Sequence, residues 1–314
     1  MGRTEEGHLN PAIGTTPLVR LQRIVLPSLA EVWVKVEGQN PTGSMKDRMG
    51  QAIVLGAIAR GDLKPGGTMM DYTGGSTGSS IAMVCASLGY RSHFVSSNAF
   101  DESKLDTMRA FGAQLDVIHA PGRVITPELF RQCFERRDEL AKRSGYVWAD
   151  QFSNPDNKSA YHAMAREILV QLGGAPDGFV AGVGTGGCFS GNAEVLSEAN
   201  PGGSFVAVEP ENSRPLAGLA PTGGHRLEGM GVGYVTPLMR TDLVTQADCV
   251  SDERAAAMAR KLAREEGLFA GLSSGANVVS ALRLASKLGP NARVVTVLCD
   301  SGLRYVGSGL FRDQ

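Results

Sequence analysis

Nearly continuous apolar runs alternate with helix-like stretches along this sequence, and short glycine-marked bends separate them. Thr68–Thr73 is such a run, and a helical pattern over Ser79–Leu88 follows it; Phe179–Val183, followed by Phe189–Ala199, shows the same order. Strands that are apolar at successive positions are typical of a parallel sheet with helices on both faces. The sequence therefore predicts an α/β fold with two open, twisted sheets flanked by helices.

The length sets the domain organisation that this pattern can form. The chain has 314 residues, enough for two domains of about 150 residues each. We predict an N-terminal segment at residues 1–38 that packs on the larger domain, a smaller domain at 39–150 and a larger domain at 151–314. In open α/β folds ligands bind outside the carboxyl ends of the strands, which is where the glycine-marked bends lie.

Charge and composition narrow the function classes. Lys and Arg total 31 and Asp and Glu total 32, a net charge of -1, so electrostatics offers no basis for binding nucleic acid or an anionic membrane. No stretch reaches the roughly 18 apolar residues of a membrane span, and no apolar signal core opens the chain. The 5 cysteines include no C-x-x-C pair and the 5 histidines show no metal-ligand spacing. We therefore expect reduced thiols, no metal site and a cytoplasmic protein.

Lys46 lies in an unusual place for a structural lysine. The run Val32–Glu37 predicts a strand, a glycine-containing bend follows, and Ser44 is a candidate N-cap for a helix over Met45–Arg60. The positive end of a helix disfavours a cation, so we expect this position, with partial desolvation, to lower the pKa of the Lys46 amine. A neutral amine is the nucleophile that forms a Schiff base. An isolated lysine would be read as a solvated surface group, so the neighbouring motifs decide between the two interpretations.

The bend Gly182–Gly187 indicates a phosphate site. It follows a strand and precedes a helix, where consecutive backbone N–H groups without Cβ atoms can surround a phosphate. Gly182, Gly184 and Gly187 also fit the pattern G-x-G-x-x-G, and Glu209 stands at the end of the next strand. Read this way, the bend belongs to a dinucleotide-binding fold, so a nicotinamide-dependent enzyme is an alternative at this point.

A second bend, Asp71–Ser80, has the same position between a strand and a helix. Its small hydroxyls and glycines suit an anion such as a carboxylate. An ordinary strand-to-helix turn with a good N-cap is the alternative interpretation. Two such bends and a lysine at a helix start, all on strand-to-helix connections, together favour a binding site.

Seven segments of the chain have residues and an order that point to one family. They are Ile13–Leu21, Asn40–Arg48, Thr73–Gly78, Gln151–Pro155, Gly184–Gly187, Gly224–Gly231 and Gly271–Ala276. Together they resemble the O-acetylserine sulfhydrylases (cysteine synthases) and their cystathionine β-synthase relatives, over almost the whole chain. The resemblance implies the tryptophan-synthase-β-like fold type II and the cofactor pyridoxal 5′-phosphate. It leaves no place for a nicotinamide, because in this family the glycine loop holds the cofactor phosphate.

The resemblance assigns roles to individual residues. Lys46 corresponds to the Schiff-base lysine that also removes the substrate α-proton, and Ser273 to the serine that hydrogen-bonds the pyridine nitrogen. The segment Gly224–Gly231 is similar to the one that lines the active-site entrance. The phosphate loop and its neighbour correspond to Gly184, Thr185, Gly186, Gly187 and Cys188. The loop that closes on the substrate carboxylate corresponds to Thr73, Gly74, Gly75, Ser76 and Thr77, with Gln151 helping to hold that carboxylate.

Three positions depart from the family pattern. Gly74 lacks a hydroxyl that would meet the substrate carboxylate, and Ser76 replaces an asparagine whose amide reaches the cofactor. Cys188 stands where a threonine commonly follows the phosphate loop. A lost hydrogen bond to a charged group is worth roughly 1.5–3 kcal/mol, enough to shift a substrate preference without abolishing the chemistry. These departures lead to the hypothesis of an unusual β-substituted donor, or of elimination favoured over replacement.

The activity that the resemblance implies is β-replacement on an O-activated serine through an aminoacrylate intermediate. Its simplest form makes cysteine from O-acetylserine and a small nucleophile such as sulfide, in a homodimer. Within the same chemistry, the alternatives are a cysteine desulfhydrase, which performs β-elimination, and a synthase with another donor or nucleophile. An alternative of another class is a protein that binds pyridoxal phosphate without turnover and acts through a partner. Lys46 argues against that alternative, whereas Gly74 and Ser76 leave it open.

Overall fold

A computed structural model describes residues 11–123 and 127–312 of the chain. The described residues form two compact units, one comprising residues 11–13 and 46–157 and the other comprising residues 14–45 and 158–312. The chain passes between the units after Ile13, after Met45 and again after Asn157. Each unit contains one sheet with helices packed against it.

The described strands and helices alternate for most of the chain. The strands are β1 (Leu18–Arg20), β2 (Glu31–Val36), β3 (Thr68–Tyr72), β4 (Arg91–Ser97), β5 (Gln114–Ile118), β6 (Tyr146–Trp148), β7 (Gly178–Gly182), β8 (Ser204–Pro210), β9 (Gln246–Val250) and β10 (Arg293–Leu298). The α-helices are α1 (Lys46–Ala59), α2 (Ser76–Leu88), α3 (Glu102–Ala110), α4 (Pro127–Ala141), α5 (Pro155–Leu172), α6 (Gly187–Ala199), α7 (Asp252–Lys261) and α8 (Leu272–Leu288). A π-helical turn, Leu262–Glu266, extends α7, and single 3₁₀ turns lie at Glu37–Gln39, Pro121–Arg123, Pro215–Ala217, Thr241–Leu243 and Gly302–Tyr305.

The sheet of the first unit has the strand order β5-β4-β3-β6, and its described pairs are all parallel. All five residues of the central strand β3 are buried. Met70 and Tyr72 of this strand pack with Val95 and Leu140 in one apolar cluster. Burial of side chains of this size contributes roughly 1.5–3 kcal/mol each, so β3 is held firmly and the bend that follows it starts from a fixed point.

The sheet of the second unit has the order β1-β2-β10-β7-β8-β9. Every described pair in it is parallel except the one between β1 and β2. Strand β10 is central, with Val294 opposite Val32 on one side and opposite Gly178 on the other. Val294 and Leu298 of this strand belong to an apolar cluster of this unit to which α8 also contributes buried residues.

The predicted fold class is confirmed: the structure is α/β, with two sheets flanked by helices. The strand β1 was not predicted, because three residues after a proline carry no readable strand period. Two helices begin earlier than predicted, α2 at Ser76 and α6 at Gly187. Ser76 and Thr77, expected in a loop, are therefore the first residues of a helix. The bends are short because their glycines allow the strand to turn directly into the helix.

Candidate active site

The bend between β7 and α6 in the second unit is closed by a close approach of two backbone segments. A Cβ atom on Gly184 would overlap the carbonyl oxygen of Gly229. Gly186 has φ +80°, in the left-handed region, and a Cβ there would lie 3.1 Å from the Cα of Met239. Glycine is therefore required at both positions for this packing.

The same bend presents backbone donors at a helix N-terminus. The N–H groups of Gly184 and Gly186 have no acceptor within the described residues. The first turn of α6 contains no acidic side chain that would compete for them. Thr236 fixes the bend from outside by donating its hydroxyl proton to the carbonyl oxygen of Thr185 at 2.6 Å. Such an arrangement binds an anion, because the N–H dipoles and the helix dipole point the same way.

Two adjacent serines at the start of α8 behave differently. Ser274 accepts the backbone N–H of Cys299 at 2.9 Å and is therefore part of the framework. Ser273 is only 6% exposed, yet within the described chain its hydroxyl makes no hydrogen bond. Buried hydroxyls are nearly always hydrogen-bonded in folded proteins, so Ser273 is suited to pair with a bound ligand. Cys188, the second residue of α6, is buried, and its carbonyl oxygen accepts a hydrogen bond from the side-chain amide of Asn192.

In the first unit, Lys46 is the first residue of α1. The next residue, Asp47, is fully buried and accepts the hydroxyl proton of Ser80 at 2.6 Å. Ser80 lies in the second turn of α2, and Gly50 of α1 packs directly against it. The N-terminal ends of α1 and α2 are therefore held together, and Lys46 and Ser76 lie at these ends.

The bend that follows β3 is tied from within by Thr73. Its hydroxyl oxygen accepts the N–H groups of Gly75 at 3.0 Å and Gly78 at 3.2 Å. Gly75 has φ +147°, and a Cβ there would collide with the side chain of Lys104. A Cβ on Gly74 would lie 3.1 Å from the ring of Phe100. The hydroxyl of Thr73 therefore shapes the loop, and the N–H of Gly74 is left without an acceptor in the described structure.

Thr77 and Gln151 meet although they are distant in the sequence. The hydroxyl of Thr77 donates to the Oε1 atom of Gln151 at 2.8 Å, and the Nε2 atom of Gln151 donates to the carbonyl oxygen of Tyr72 at 3.0 Å. A glutamine amide has two N–H donors. One of them remains without an acceptor among the described residues.

Two residues beside Gln151 carry no signal in the sequence. Asp71 is 2% exposed and accepts hydrogen bonds from the indole N–H of Trp148 and the backbone N–H groups of Tyr72 and Gln151. Burial raises the pKa of the Asp71 carboxyl to about 6, although these hydrogen bonds and the charge of Arg137 act in the opposite direction. Asp150, directly before Gln151, has φ +46°. A left-handed aspartate and a buried acceptor at a strand end become visible only once the chain is folded.

Comparisons with known proteins show the family. The sequence profile described as "Pyridoxal-phosphate dependent enzyme" matches residues 9–300. The chain belongs to this family. Pyridoxal 5′-phosphate is therefore the cofactor of the enzyme.

Individual members of the family align along nearly the whole chain. The enzyme is 37% identical over 315 residues to a cysteine synthase of Staphylococcus aureus, covering 99% of both chains. Its fold matches the crystal structure of a cysteine synthase from Entamoeba histolytica with a TM-score of 0.91 at 31% identity, covering 100% of this chain and 94% of the other. A hydrogen sulfide-producing enzyme from Fusobacterium nucleatum matches with a TM-score of 0.87 at 32% identity, covering 94% and 96%.

The described residues fit the cofactor of this pyridoxal-phosphate dependent enzyme. The bare N–H groups of Gly184 and Gly186 suit its phosphate, and the unengaged hydroxyl of Ser273 suits a ring nitrogen. Among the described residues, no group of three His, Cys, Asp or Glu side chains is arranged to hold a metal ion. None of the described helices has the length and apolar character of a membrane span.

Proposed function

We propose that the enzyme catalyses β-replacement on an O-activated serine and makes cysteine from O-acetylserine and sulfide. The observation that carries this proposal is the 37% identity to a cysteine synthase, which extends over 99% of both chains. Fold similarity alone does not define a substrate, whereas full-length similarity to a protein of that activity supports the same reaction.

Lys46 is the proposed catalytic residue. It would hold the cofactor covalently through its ε-amine and, once displaced by the amino-acid substrate, accept the α-proton on the same nitrogen. Its position at the start of α1 disfavours the charged amine, because the positive end of the helix dipole lies there. When bound, pyridoxal phosphate supplies the electron sink for the negative charge that develops at the substrate α-carbon.

The proposed contacts with the phosphate and the ring nitrogen of the cofactor come from residues of the second unit. The backbone N–H groups of Gly184, Thr185, Gly186 and Gly187, together with Cys188, would hold the phosphate. Ser273 would hydrogen-bond the ring nitrogen without keeping it protonated. A carboxylate at this position would keep it protonated. A weaker electron sink shortens the life of the carbanion and favours loss of the β-substituent.

The substrate carboxylate is assigned to the first unit. Thr73, Gly74, Gly75, Ser76 and Thr77 would surround it with backbone N–H groups and hydroxyls at the start of α2. Gln151 would donate its second side-chain N–H to the carboxylate, because the first is bonded to the carbonyl oxygen of Tyr72. Ser76 would also replace the longer amide that reaches the cofactor in related enzymes.

A second candidate function is β-elimination from cysteine, with release of sulfide. The structural similarity to a hydrogen sulfide-producing enzyme supports it, as do the missing side chain at Gly74 and the short one at Ser76. We also propose that the protein is a cytoplasmic homodimer whose ligands are a small amino acid and a small nucleophile. Binding of the cofactor without turnover, in the service of a partner, is the remaining alternative.

One experiment separates these functions. Candidate amino acids are added one at a time to the purified holoenzyme while the cofactor absorbance is recorded, and cysteine and sulfide are then quantified. O-Acetylserine with sulfide should change the spectrum and yield cysteine, and Lys46→Ala should yield none. Release of sulfide from cysteine, with no cysteine formed from O-acetylserine, would establish elimination. A spectrum that responds to no amino acid would contradict both enzymatic functions.

A further inference from the structure

Asp71 is a buried carboxylate at the carboxyl end of β3 for which the proposed reaction has no direct use. Its Oδ1 atom accepts the indole N–H of Trp148 at 3.0 Å and the backbone N–H of Tyr72 at 2.8 Å. Its Oδ2 atom accepts the backbone N–H of Gln151 at 3.3 Å. Both oxygens are therefore engaged, and the side chain has one orientation in which all three donors are satisfied.

The peptide that joins Asp150 to Gln151 is held at both of its polar ends. The carbonyl oxygen of Asp150 accepts the N–H groups of Ser153 at 3.1 Å and Asn154 at 2.9 Å. Asp71 holds the N–H of the same peptide. The φ angle of Asp150, +46°, is sparsely populated by residues other than glycine. Such a conformation persists only where surrounding contacts impose it, and these hydrogen bonds supply the contacts.

The orientation of this peptide determines where the Gln151 side chain points. Gln151 is 7% exposed, and its side chain is fixed by Thr77 on its oxygen and by the Tyr72 carbonyl on its nitrogen. The second hydrogen of Nε2 then has a single direction. The carbonyl oxygen of Gln151 is held as well, by the Nδ2 atom of Asn157 at 2.6 Å.

We propose that Asp71 is a positioning residue for substrate binding. By accepting the N–H of Gln151 it fixes the peptide that aims the remaining amide hydrogen of that residue at the substrate carboxylate. The inference rests on the proposed function, in which Gln151 binds that carboxylate. In this proposal Asp71 contacts neither substrate nor cofactor and acts through Gln151.

Asp71→Asn tests the proposal with little change in size. An asparagine has one acceptor oxygen, so if that oxygen serves Trp148 and Tyr72, its NH₂ group faces the N–H of Gln151. Asp248→Asn is the matched control, since Asp248, like Asp71, accepts three hydrogen bonds, in its case from the backbone N–H of Cys249 and the side chains of Ser280 and Arg283. It lies in the second unit, outside the proposed contacts with the substrate.

The measurement is the apparent Kd for O-acetyl-L-serine, taken from the way the rate of change of the cofactor absorbance depends on its concentration when it is mixed with the holoenzyme without sulfide. Asp71→Asn should raise the Kd about tenfold, as expected for a weakened hydrogen bond to a charged group, and Asp248→Asn should leave it within about twofold. In a Gln151→Ala background, Asp71→Asn should have no further effect, because the two residues act through one contact. An unchanged Kd in the single variant, or additive effects in the double variant, overturns the proposal.

Asp150→Gly keeps the proposal testable if Asp71→Asn yields no folded holoenzyme. Glycine adopts the observed φ without strain but also many other conformations. Binding should weaken about threefold, and unchanged binding overturns the claim. A wild-type spectrum that does not respond to O-acetylserine contradicts the proposed function and this inference with it. If the wild-type spectrum responds to O-acetylserine but the effects of Asp71→Asn and Gln151→Ala are additive, only the role of Asp71 is contradicted and the proposed function stands.

Discussion

Two glycine bends, one in each unit, connect a parallel strand to a helix, and they are built in different ways. The bend after β3 is tied by its own side chain, since Thr73 accepts the N–H groups of Gly75 and Gly78. The bend after β7 is closed by packing, since Gly184 lies against the carbonyl group of Gly229. A bend shaped by hydrogen bonds can adjust, whereas one closed by backbone contact cannot. The first suits a substrate that must enter and leave, and the second suits a resident cofactor.

The strand ends before the two bends differ as well. Strand β3 brings a buried carboxylate, Asp71, next to its bend, whereas β7 ends in Gly182 without a titratable group. The bend after β3 therefore has a buried titratable group beside it, and the bend after β7 has none at its strand end.

The largest effect is expected from Gly184→Ala. The new Cβ must displace the backbone at Gly229, so the phosphate cradle opens and cofactor affinity should fall at least about a thousandfold, roughly 4 kcal/mol. Gly307→Ala is the control, because a Cβ at Gly307 has no neighbour within 4 Å. Titration of the apoenzyme with pyridoxal phosphate measures both affinities. Equal affinities in the two variants would show that the bend after β7 is not closed by packing.

The second effect concerns the pH dependence of stability. Burial raises the pKa of Asp71 from the ordinary 3.8 to about 6, so the folded protein binds more protons than the unfolded chain between these values. This carboxyl therefore makes the free energy of unfolding fall as the pH rises through that window, by up to about 3 kcal/mol. Asp71→Asn removes this contribution.

Denaturant unfolding of the wild type and of Asp71→Asn at pH 4 and pH 7 checks this expectation. The variant should gain stability relative to the wild type on going from the lower to the higher pH, on the order of 3 kcal/mol. The charge of Arg137 and the donors to Asp71 oppose the rise in pKa and are present at both pH values. A difference between the two proteins that is the same at both pH values contradicts the pKa assigned to Asp71.

The third prediction compares one variant in each bend and tests whether the two bends have separate tasks. Thr73→Val removes the acceptor of two backbone N–H groups, so the KM for the amino-acid substrate should rise about tenfold while cofactor affinity is unchanged. Thr236→Val removes the hydrogen bond to the Thr185 carbonyl and should instead weaken cofactor binding by a similar factor. Steady-state kinetics of both variants measure the KM, and cofactor titration measures the cofactor affinity. Variants that change both constants equally would show that the bends do not have separate tasks.

The smallest effect is expected from Gly74→Ser. Its Cβ would lie 3.1 Å from the ring of Phe100, which must move by a few tenths of an ångström. The added hydroxyl offers a new contact to the substrate carboxylate, so the KM should fall, by no more than about fivefold, once the ring has room. The double variant with Phe100→Ala provides that room. A KM unaffected in the double variant would indicate that position 74 does not face the substrate carboxylate.

Much of the fold could be predicted because local patterns determine it, whereas the roles of the individual site residues stay predictions. Apolar runs and glycine bends predicted the parallel sheets, and the bend before Lys46 predicted the helix that starts there. The contacts that shape the bends could not be predicted. Gly184 meets Gly229 and Asp71 meets Gln151 only through the tertiary fold, and the hydrogen bond from Gln151 to Asp71 is one of those that hold Asp150 at its positive φ. The predicted starts of α2 and α6 lie too far along the chain, because Ser76 and Gly187 are not part of an apolar helical periodicity.

The role of Lys46 is the central claim, and reduction of the holoenzyme with borohydride followed by peptide mapping tests it most directly. We predict that the reduced cofactor is found on the ε-nitrogen of Lys46 and that Lys46→Ala carries none. Cofactor attached to another lysine, or no attachment in the wild type, would contradict the account.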